Sequence, residues 1–318
     1  MDNARATGTA IVFPGISVTP YADLAKFLML GRSARALVAE ASDTLGYHLL
    51  DRYRDEDGRF TESSRVSFLV SCLALARDAE LRSGLRPDVV VGPSFGGMPA
   101  AVYAGAVGLA DAVRMTAGWS ACVDRYFAEH YTDTVSQSCA RLPAVELEAV
   151  LDELRARDEW HDVACYVDSD FAIVSVREAR LPWLVERMRA RGGLPLATMR
   201  PPMHSPSFAA LREEVDREVF SRLVFTDPVL PLVDDHDGGE VRTAGQVRDM
   251  VLDGIVAPVR WLSVVAALRA RGVTELVVAG QDSLWGRVRA STDNFTVTTL
   301  TARRALVPPA RRLPAGRT

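Results

Sequence analysis

The chain has 318 residues, of which 48% are hydrophobic and 25% are charged, a balance that is typical of a folded globular protein and excludes a largely disordered one. Its formal net charge of −4 gives no support to nucleic-acid binding, which favours a basic surface. No apolar run reaches the length of a membrane span, and the first residues, MDNARATGT, lack the apolar stretch of a signal peptide. We therefore expect a cytoplasmic protein with neither a nucleic-acid nor a membrane partner.

The cysteine pattern bears on metal binding and on disulfides. The four cysteines are far apart and form no CxxC pair: Cys72, Cys122, Cys139 and Cys165. This spacing is neither that of a zinc site nor that of a disulfide framework. The sequence therefore predicts no metal.

Short apolar strands alternate with helices over much of the chain, which predicts a parallel sheet covered on both faces. In chain order these are a strand at residues 9–13, a helix at 68–81, a strand at 88–91, a helix at 98–106 and a strand at 275–279 that Gly280 follows. Each of the strands is short, apolar and followed by glycine, as expected of buried strands that run into turns.

The middle of the chain has a different pattern, in which the predicted elements follow the order βαββαβ. They are a strand at 134–142, a helix at 145–157, strands at 163–167 and 171–176, a helix at 181–191 and a strand at 194–199. This order is the ferredoxin-like pattern. We predict an α/β-hydrolase-like large subdomain from residues 1–132 and 200–302, an inserted ferredoxin-like small subdomain at 133–199, and a basic, proline-rich tail at 303–318 with little regular structure.

A candidate nucleophile lies between the strand at 88–91 and the helix that follows it. Residues 92–96, GPSFG, match G-x-S-x-G in the strand-to-helix context that the motif requires. Such a turn holds Ser94 in a strained conformation above the sheet, at a helix N-terminus where backbone N–H groups stabilise an oxyanion. The alternative is a glycine-rich turn that happens to carry serine, and the flanking elements favour the nucleophile.

A serine nucleophile needs a base, and the chain has five histidines. Four of them are interpreted as surface or loop residues: His48, His130, His161 and His236. His204 lies where the inserted subdomain returns the chain to the large subdomain, and clefts form at such junctions. The sequence therefore predicts His204 as the base for Ser94.

With these motifs the chain resembles the malonyl-CoA:acyl carrier protein transacylase family, which includes the acyltransferase domains of polyketide synthases. Five segments match the family's motifs in order: FPG at 13–15, GPSFGG at 92–97, ADAVR at 110–114, MHS at 203–205 and APVRW at 257–261. Together they span nearly the whole chain. They are far more specific than G-x-S-x-G alone, which also suits esterases.

The resemblance implies a two-step, ping-pong transfer. Ser94 attacks a thioester while His204 takes its proton, and the backbone N–H groups of Ile16 and Phe95 hold the oxyanion. The phosphopantetheine thiol of an acyl carrier protein then attacks the acyl-serine. The substrate is carried on 4'-phosphopantetheine of a carrier protein or on coenzyme A, and no cofactor stays bound. Because the family's histidine is steadied largely by backbone carbonyl groups, Asp235, which falls near a family asparagine, is not predicted to be catalytic.

Departures from the family's pattern bear on the acyl group. Trp119 falls where malonyl-specific members have an arginine that pairs with the malonyl carboxylate, and an indole cannot form that pair. Pro93 replaces the histidine before the nucleophile, and Met203 belongs to a tetrapeptide unlike those of malonyl- and methylmalonyl-selective domains. The resemblance thus implies that Pro93, Trp119 and Met203 select an acyl group other than malonyl. It stays open whether Trp119 merely packs while another arginine binds a carboxylate.

The pattern is similar to stand-alone acyltransferases of macrolactam polyketide pathways, which move aminoacyl or dipeptidyl groups between carrier proteins, and to loading acyltransferases for uncharged acyl groups. We expect the first activity, a trans-acting step of polyketide antibiotic biosynthesis. The partners would be acyl carrier proteins of a polyketide synthase, with Arg155 and Arg157 as candidate contacts. The alternatives are a carrier-protein thioester hydrolase, a malonyl-CoA:acyl carrier protein transacylase, and a non-catalytic docking protein, against which the presence of both Ser94 and His204 argues.

Overall fold

The computed structural model describes residues 8–58 and 60–307. Within these residues the strands are β1 (Gly8–Val12), β2 (Val89–Val91), β3 (Thr134–Ala140), β4 (His161–Asp168), β5 (Phe171–Arg177), β6 (Leu194–Met199), β7 (Leu232–Val233), β8 (Glu240–Val241), β9 (Val259–Arg260), β10 (Val273–Ala279) and β11 (Thr296–Leu300). The α-helices are α1 (Tyr21–Leu30), α2 (Arg32–Leu45), α3 (Leu49–Asp55), α4 (Glu62–Ser83), α5 (Gly97–Tyr103), α6 (Leu109–His130), α7 (Ala144–Arg155), α8 (Leu181–Ala190), α9 (Ala209–Glu218), α10 (Ala244–Asp253), α11 (Trp261–Ala270), α12 (Arg289–Thr292) and α13 (Ala302–Ala305).

The larger sheet has six strands in the order β11-β10-β1-β2-β7-β8. All neighbours pair in parallel except the edge strand β8, which runs antiparallel to β7. Successive side chains of a strand point to opposite faces, so Ile11 packs against the core that contains α4 and α6. Ala10 and Val12 pack against α11 on the other face. The predicted α/β fold with a doubly covered parallel sheet is confirmed.

The small subdomain consists of β3, α7, β4, β5, α8 and β6, which confirms the predicted βαββαβ order. Its sheet has the order β6-β3-β5-β4-β9, in which the first four strands have the ferredoxin-like arrangement and pair antiparallel. The fifth strand, β9, comes from the chain segment assigned to the large subdomain. It pairs in parallel with β4, with Cys165 opposite Val259, and so joins the two subdomains through backbone hydrogen bonds.

The two faces of the smaller sheet have different surroundings. Helices α7 and α8 cover one face, where Val135 and Val174 belong to a compact apolar cluster. Ser136, Cys165 and Ile173 point to the opposite face, towards a cavity shared with the large subdomain. The small subdomain therefore contributes one wall of that cavity.

The described part of the chain ends in a short helix, α13, which extends into the tail predicted to begin at residue 303. Thr301 caps this helix by accepting a hydrogen bond from the Arg304 backbone N–H. The Arg82 guanidinium of α4 donates to the backbone carbonyl groups of Ala305 and Val307, which holds the segment against the domain. The rest of the predicted tail, residues 308–318, lies outside the described residues.

Candidate active site

The serine of the G-x-S-x-G turn is strained and lies beside a histidine. Ser94 follows β2 and has a φ angle of 57°, in the left-handed region that non-glycine residues seldom occupy. Its Oγ atom lies 2.8 Å from Nε2 of His204. The structure thus brings the two residues of the predicted catalytic pair to hydrogen-bond distance, across the junction between the subdomains.

The glycines of the turn are required by close packing of the backbone. A Cβ atom on Gly96 would lie 1.9 Å from the carbonyl oxygen of Phe13, and one on Gly92 would lie 2.1 Å from the carbonyl oxygen of Gly96. A larger residue at 96 would therefore push the turn away from the end of β1, and a larger residue at 92 would distort the turn itself. Glycine at both positions fixes where Ser94 lies relative to the sheet.

His204 is buried, and a backbone carbonyl group contacts the ring nitrogen that faces away from Ser94. Its Nδ1 atom lies 3.1 Å from the carbonyl oxygen of Ala257. A proton on Nδ1 that is donated to this carbonyl leaves the lone pair of Nε2 facing Ser94, as a base requires. Burial, assisted by the nearby His236, lowers the pKa of His204 to about 3, although the Ala257 carbonyl raises it. The imidazole is therefore neutral at physiological pH.

The loop that carries His204 is tied to the small subdomain through a carboxylate. Ser205 donates its hydroxyl to Asp162 of β4, and Ser207 donates to the same carboxylate at 3.3 Å. The indole N–H of Trp160 donates to the Ser207 hydroxyl at 2.9 Å. The position of the predicted base thus depends on β4 and the residues beside it.

The two predicted oxyanion donors flank the nucleophile. Phe95 follows Ser94 directly, and Ile16 follows Gly15, whose Cβ position would lie 3.4 Å from Cβ of Ser94. Both Ile16 and Phe95 line the cavity. Neither backbone N–H donates a hydrogen bond to another group in the described part of the chain, so both are available to a ligand.

Ser94 and His204 open into a cavity of about 260 Å³. Trp119 from α6 and Met203, both predicted to influence acyl specificity, line it. Pro93 does not: it is buried within the turn, where its carbonyl accepts the Gly96 N–H at 3.0 Å. The strand-to-helix turn points Ser94 outwards and the preceding proline inwards, so Pro93 shapes the turn rather than the lining.

The charged side chains that line the cavity have partners within the protein. Arg65 of α4 is buried and pairs through both Nη atoms with the Asp124 carboxylate, at 3.1 and 3.4 Å. Arg200 pairs with Glu178. Asp282 accepts three backbone N–H groups, from residues 284–286. Each arginine of the lining is therefore paired with a carboxylate of the protein, and Asp282 is hydrogen-bonded to the backbone.

A buried carboxylate that was not predicted as a site residue contacts the nucleophile turn. Oδ2 of Asp235 accepts the backbone N–H of Ser94 at 2.7 Å, and the side chain is almost fully buried. Burial raises the pKa of Asp235 to about 6, although His236 and the Ser94 N–H lower it. The sequence analysis interpreted the adjacent His236 as a surface or loop residue, but this loop follows β7, the neighbour of β2 in the sheet. Its place at the carboxyl end of a parallel strand was the available signal.

Two groups of side chains in the described part of the chain bring potential metal ligands within 4.8 Å of one another: Cys122, Glu214 and Glu218, and Asp234, Asp235 and His236. In the first group Arg125 pairs with both glutamates. In the second group the two carboxylates accept the backbone N–H groups of Ser94 and His236. These contacts account for the acidic groups without a metal ion.

Comparisons with known proteins find similar acyltransferases. Residues 138–199 match the model of the VinK acyltransferase small domain. The malonyl CoA-acyl carrier protein transacylase of Salmonella typhimurium is 27% identical over 310 residues, which cover 93% of this chain and 95% of that protein. The chain is similar over nearly its whole length to malonyl CoA-acyl carrier protein transacylases, and it is an acyltransferase.

Solved structures share the fold of this acyltransferase. A malonyl-transacylase in complex with its type II polyketide synthase acyl-carrier protein superposes with a TM-score of 0.82 at 20% identity, covering 94% of this chain and 98% of that one. An acyltransferase domain of the salinomycin polyketide synthase gives a TM-score of 0.76 at 22% identity, covering 95% of this chain and 72% of that one. Both likenesses extend over the large and small subdomains.

Two arginines of the acyltransferase that were predicted to contact a carrier protein lie away from the cavity. Arg155 ends α7, on the helical face of the small subdomain, and pairs with Glu148 and Asp152 at 2.6 Å each. Arg157 lies over the ring of Trp183, 5.1 Å from its centroid. Their contact with a carrier protein stays a prediction. Among the described residues of the acyltransferase, no helix is both long and apolar enough to cross a bilayer.

Proposed function

We propose that this acyltransferase moves an acyl group without a free carboxylate, of the aminoacyl or dipeptidyl class, between acyl carrier proteins of a polyketide pathway. The charge balance of the cavity is the observation that carries the proposal. Trp119 occupies the position at which the resemblance places the carboxylate-binding arginine, and it lines the cavity. A malonyl carboxylate would lose its water there without gaining a cationic partner, which is unfavourable.

The two arginines of the lining do not replace the missing one. The Arg65 guanidinium already engages Asp124 through two nitrogens, so its charge is compensated before a substrate enters. Of its five N–H donors, those not directed at Asp124 suit a neutral acceptor such as an amide carbonyl. Arg200 is likewise compensated by Glu178. An acyl group with apolar and amide surface therefore fits this lining better than a dicarboxylic one.

The transfer runs through an acyl-serine. Nε2 of His204 takes the hydroxyl proton as Oγ of Ser94 attacks the thioester carbonyl carbon, and the backbone N–H groups of Ile16 and Phe95 hold the oxyanion. The oxyanion collapses, the donor thiolate leaves, and it takes the proton from the His204 imidazolium. The acceptor thiol then gives its proton to His204 and attacks the carbonyl carbon of the acyl-serine. Oγ of Ser94 leaves and takes that proton from His204, which regenerates the hydroxyl.

The proposed partners follow from the chemistry of the relatives. The Salmonella relative is a malonyl CoA-acyl carrier protein transacylase. One solved structure is a complex between a type II polyketide synthase acyl-carrier protein and its malonyl-transacylase. A thiol on a flexible phosphopantetheine arm suits a nucleophile that lies inside a cavity between two subdomains. We infer that both donor and acceptor are such carrier proteins and that Arg155 and Arg157 assist docking.

Intact-mass measurement of all species tests the proposal. The purified acyltransferase and its Ser94→Ala variant are each mixed with a carrier protein bearing a malonyl, acetyl, aminoacyl or dipeptidyl group, together with an unloaded holo carrier protein of different mass as acceptor. We expect the aminoacyl or dipeptidyl group to appear on the wild-type enzyme and then on the acceptor, and neither event with Ser94→Ala.

Two other outcomes would contradict the proposal in different ways. Transfer of malonyl in preference to the other groups would identify a malonyl transacylase and refute the inference from Trp119. Release of free acid while the acceptor stays unloaded would identify a carrier-protein thioester hydrolase, because water would then replace the acceptor thiol.

A further inference from the structure

We propose that Asp235 and His236 form a buried ion pair that holds the nucleophile turn in its strained conformation, so that both are positioning residues for Ser94. The proposal holds for whichever acyl group the enzyme carries. Neither side chain touches the reacting atoms. The pair acts through the backbone of Ser94.

The first step is the contact between Asp235 and the turn. The Ser94 N–H donates to Oδ2 of Asp235 at 2.7 Å, and a bond from an N–H group to an ionised carboxylate is stronger than one to a neutral acceptor. Ser94 needs such a restraint, because its φ angle of 57° is unfavourable for a residue with a side chain. The carboxylate fixes the turn while leaving the Ser94 hydroxyl free to bind His204.

The second step is the charge of His236. Its Nδ1 atom lies 3.3 Å from the carbonyl oxygen of Pro258, and its Nε2 atom lies 3.6 Å from Oδ1 of Asp235. Nε2 is buried and has no hydrogen-bond partner among the described residues. A neutral imidazole has one N–H, yet both ring nitrogens here face acceptors. The geometry therefore favours the imidazolium, which compensates the buried carboxylate.

One short segment organises the pair together with the catalytic base. The carbonyl of Ala257 anchors His204 at 3.1 Å, and that of the next residue, Pro258, anchors His236. The Arg260 N–H donates to the backbone carbonyl of Asp235 at 2.8 Å. Segment 257–260 thus connects the base and the pair, and Asp235 completes the connection back to Ser94.

The other titratable groups around Asp235 do not supply the balancing charge. His204 is neutral because burial lowers its pKa. The Cys165 thiol of β4 is neutral because burial, and then Asp235, raise its pKa. Asp234, on the same loop, carries a second carboxylate that raises the pKa of Asp235. The Asp253 carboxylate of α10 in turn raises the pKa of Asp234. This leaves His236 as the cation beside Asp235.

The pKa directions agree with this geometry. Burial lowers the pKa of His236, but the Asp235 and Asp234 carboxylates raise it, and the balance lies above the usual value. Burial raises the pKa of Asp235. The ion pair therefore exists at pH values above the pKa of Asp235 and below the pKa of His236. If the cation is removed, the ionised carboxylate is left buried without a counter-charge, which is unfavourable, and protonation of Asp235 relieves that cost.

A double-mutant cycle tests the pair. The variants are Asp235→Asn, His236→Asn and the double variant. Asparagine at 236 keeps a donor for Pro258 and removes the charge, and asparagine at 235 keeps an acceptor for the Ser94 N–H. The readout is the rate at which a fluorophosphonate phosphonylates Ser94, with loss of fluoride, followed by intact mass from pH 5 to 9. Asp237→Asn, an exposed position on the same loop, is the matched control.

We expect His236→Asn to react about 10-fold or more slowly than wild type at pH 7 and to recover as the pH falls, because protonation removes the unpaired charge of Asp235. The double variant should regain most of the lost rate at pH 7 and lose this pH dependence. Asp237→Asn should match wild type. A merely structural role of His236 would lower the rate equally at every pH and would not be rescued by the second substitution.

Equal rates and pH profiles for all variants would overturn the proposal. If His236→Asn does not fold, thermal unfolding replaces the rate as the readout: the pair predicts that the double variant folds, and an unfolded double variant would refute it. Because the fluorophosphonate needs neither an acyl group nor a carrier protein, the outcome is independent of the proposed transfer reaction.

Discussion

The glycine that lets the nucleophile turn approach β1 gives the sharpest test of the site's geometry. A Cβ atom in Gly96→Ala would lie 1.9 Å from the Phe13 carbonyl oxygen, whereas real Cβ atoms essentially never approach within 3.0 Å. The turn must therefore shift by about 1.1 Å. Displacement of reacting groups by about 1 Å costs on the order of 100-fold in rate. Here the shift would move Oγ of Ser94 out of hydrogen-bond distance of Nε2 of His204.

We expect Gly96→Ala to form acyl-enzyme about 100-fold more slowly than wild type and to lose about 1–3 kcal/mol of unfolding free energy from overpacking. Initial rates of Ser94 modification by intact mass, together with thermal unfolding, measure the two effects. Gly97→Ala is the control, because a Cβ atom there would find its nearest neighbours at 3.5 and 3.8 Å. Wild-type rates in Gly96→Ala would refute the close-packing explanation of the turn.

Three further outcomes follow from the cavity and the base. Trp119→Arg should raise malonylation of Ser94 about 10- to 100-fold, since a charge-assisted bond contributes about 1.5–3 kcal/mol, and an unchanged malonylation rate measured by intact mass would contradict the role given to Trp119. The pKa of His204 is lowered from an unfolded value of about 6.5 to about 3, so its neutral form stabilises the fold above pH 6.5 and that contribution is lost as the pH falls. The melting temperature should accordingly fall more steeply from pH 6.5 to 4 in wild type than in His204→Gln, and parallel curves would be evidence against the buried neutral base. Ser205→Ala should lower the unfolding free energy by about 1–3 kcal/mol because the Asp162 carboxylate loses a buried donor, which chemical denaturation can measure, and an unchanged midpoint would contradict it.

Periodicity and turn residues were sufficient to predict the organisation of the fold. The order βαββαβ and the strand at Leu194–Met199 match the structure, because the alternation between strand and helix periods is strong there. Helix α4 begins at Glu62, six residues before the predicted start. Its first turn is polar and is defined by a capping box between Thr61 and Ser64, a signal that apolar spacing alone does not detect.

Contacts between distant segments limited the prediction of the site. The motifs identified Ser94 and His204, whose neighbours in sequence are distinctive. Asp235 lies in a charged run, and charge in sequence normally indicates solvent exposure. Only the pairing of β2 with β7 brings that run to the Ser94 N–H. The two-residue strand β9 was likewise too short to show a periodicity, although it completes the smaller sheet.

A competition for the first turnover tests the central claim most directly. Wild-type enzyme is mixed with equal amounts of malonyl-loaded and aminoacyl-loaded carrier protein, and the mass of the Ser94 adduct is read before any acceptor is added. The charge balance around Trp119, Arg65 and Arg200 predicts that the aminoacyl adduct predominates. A predominance of the malonyl adduct would contradict the account, because it would show that this lining binds a free carboxylate.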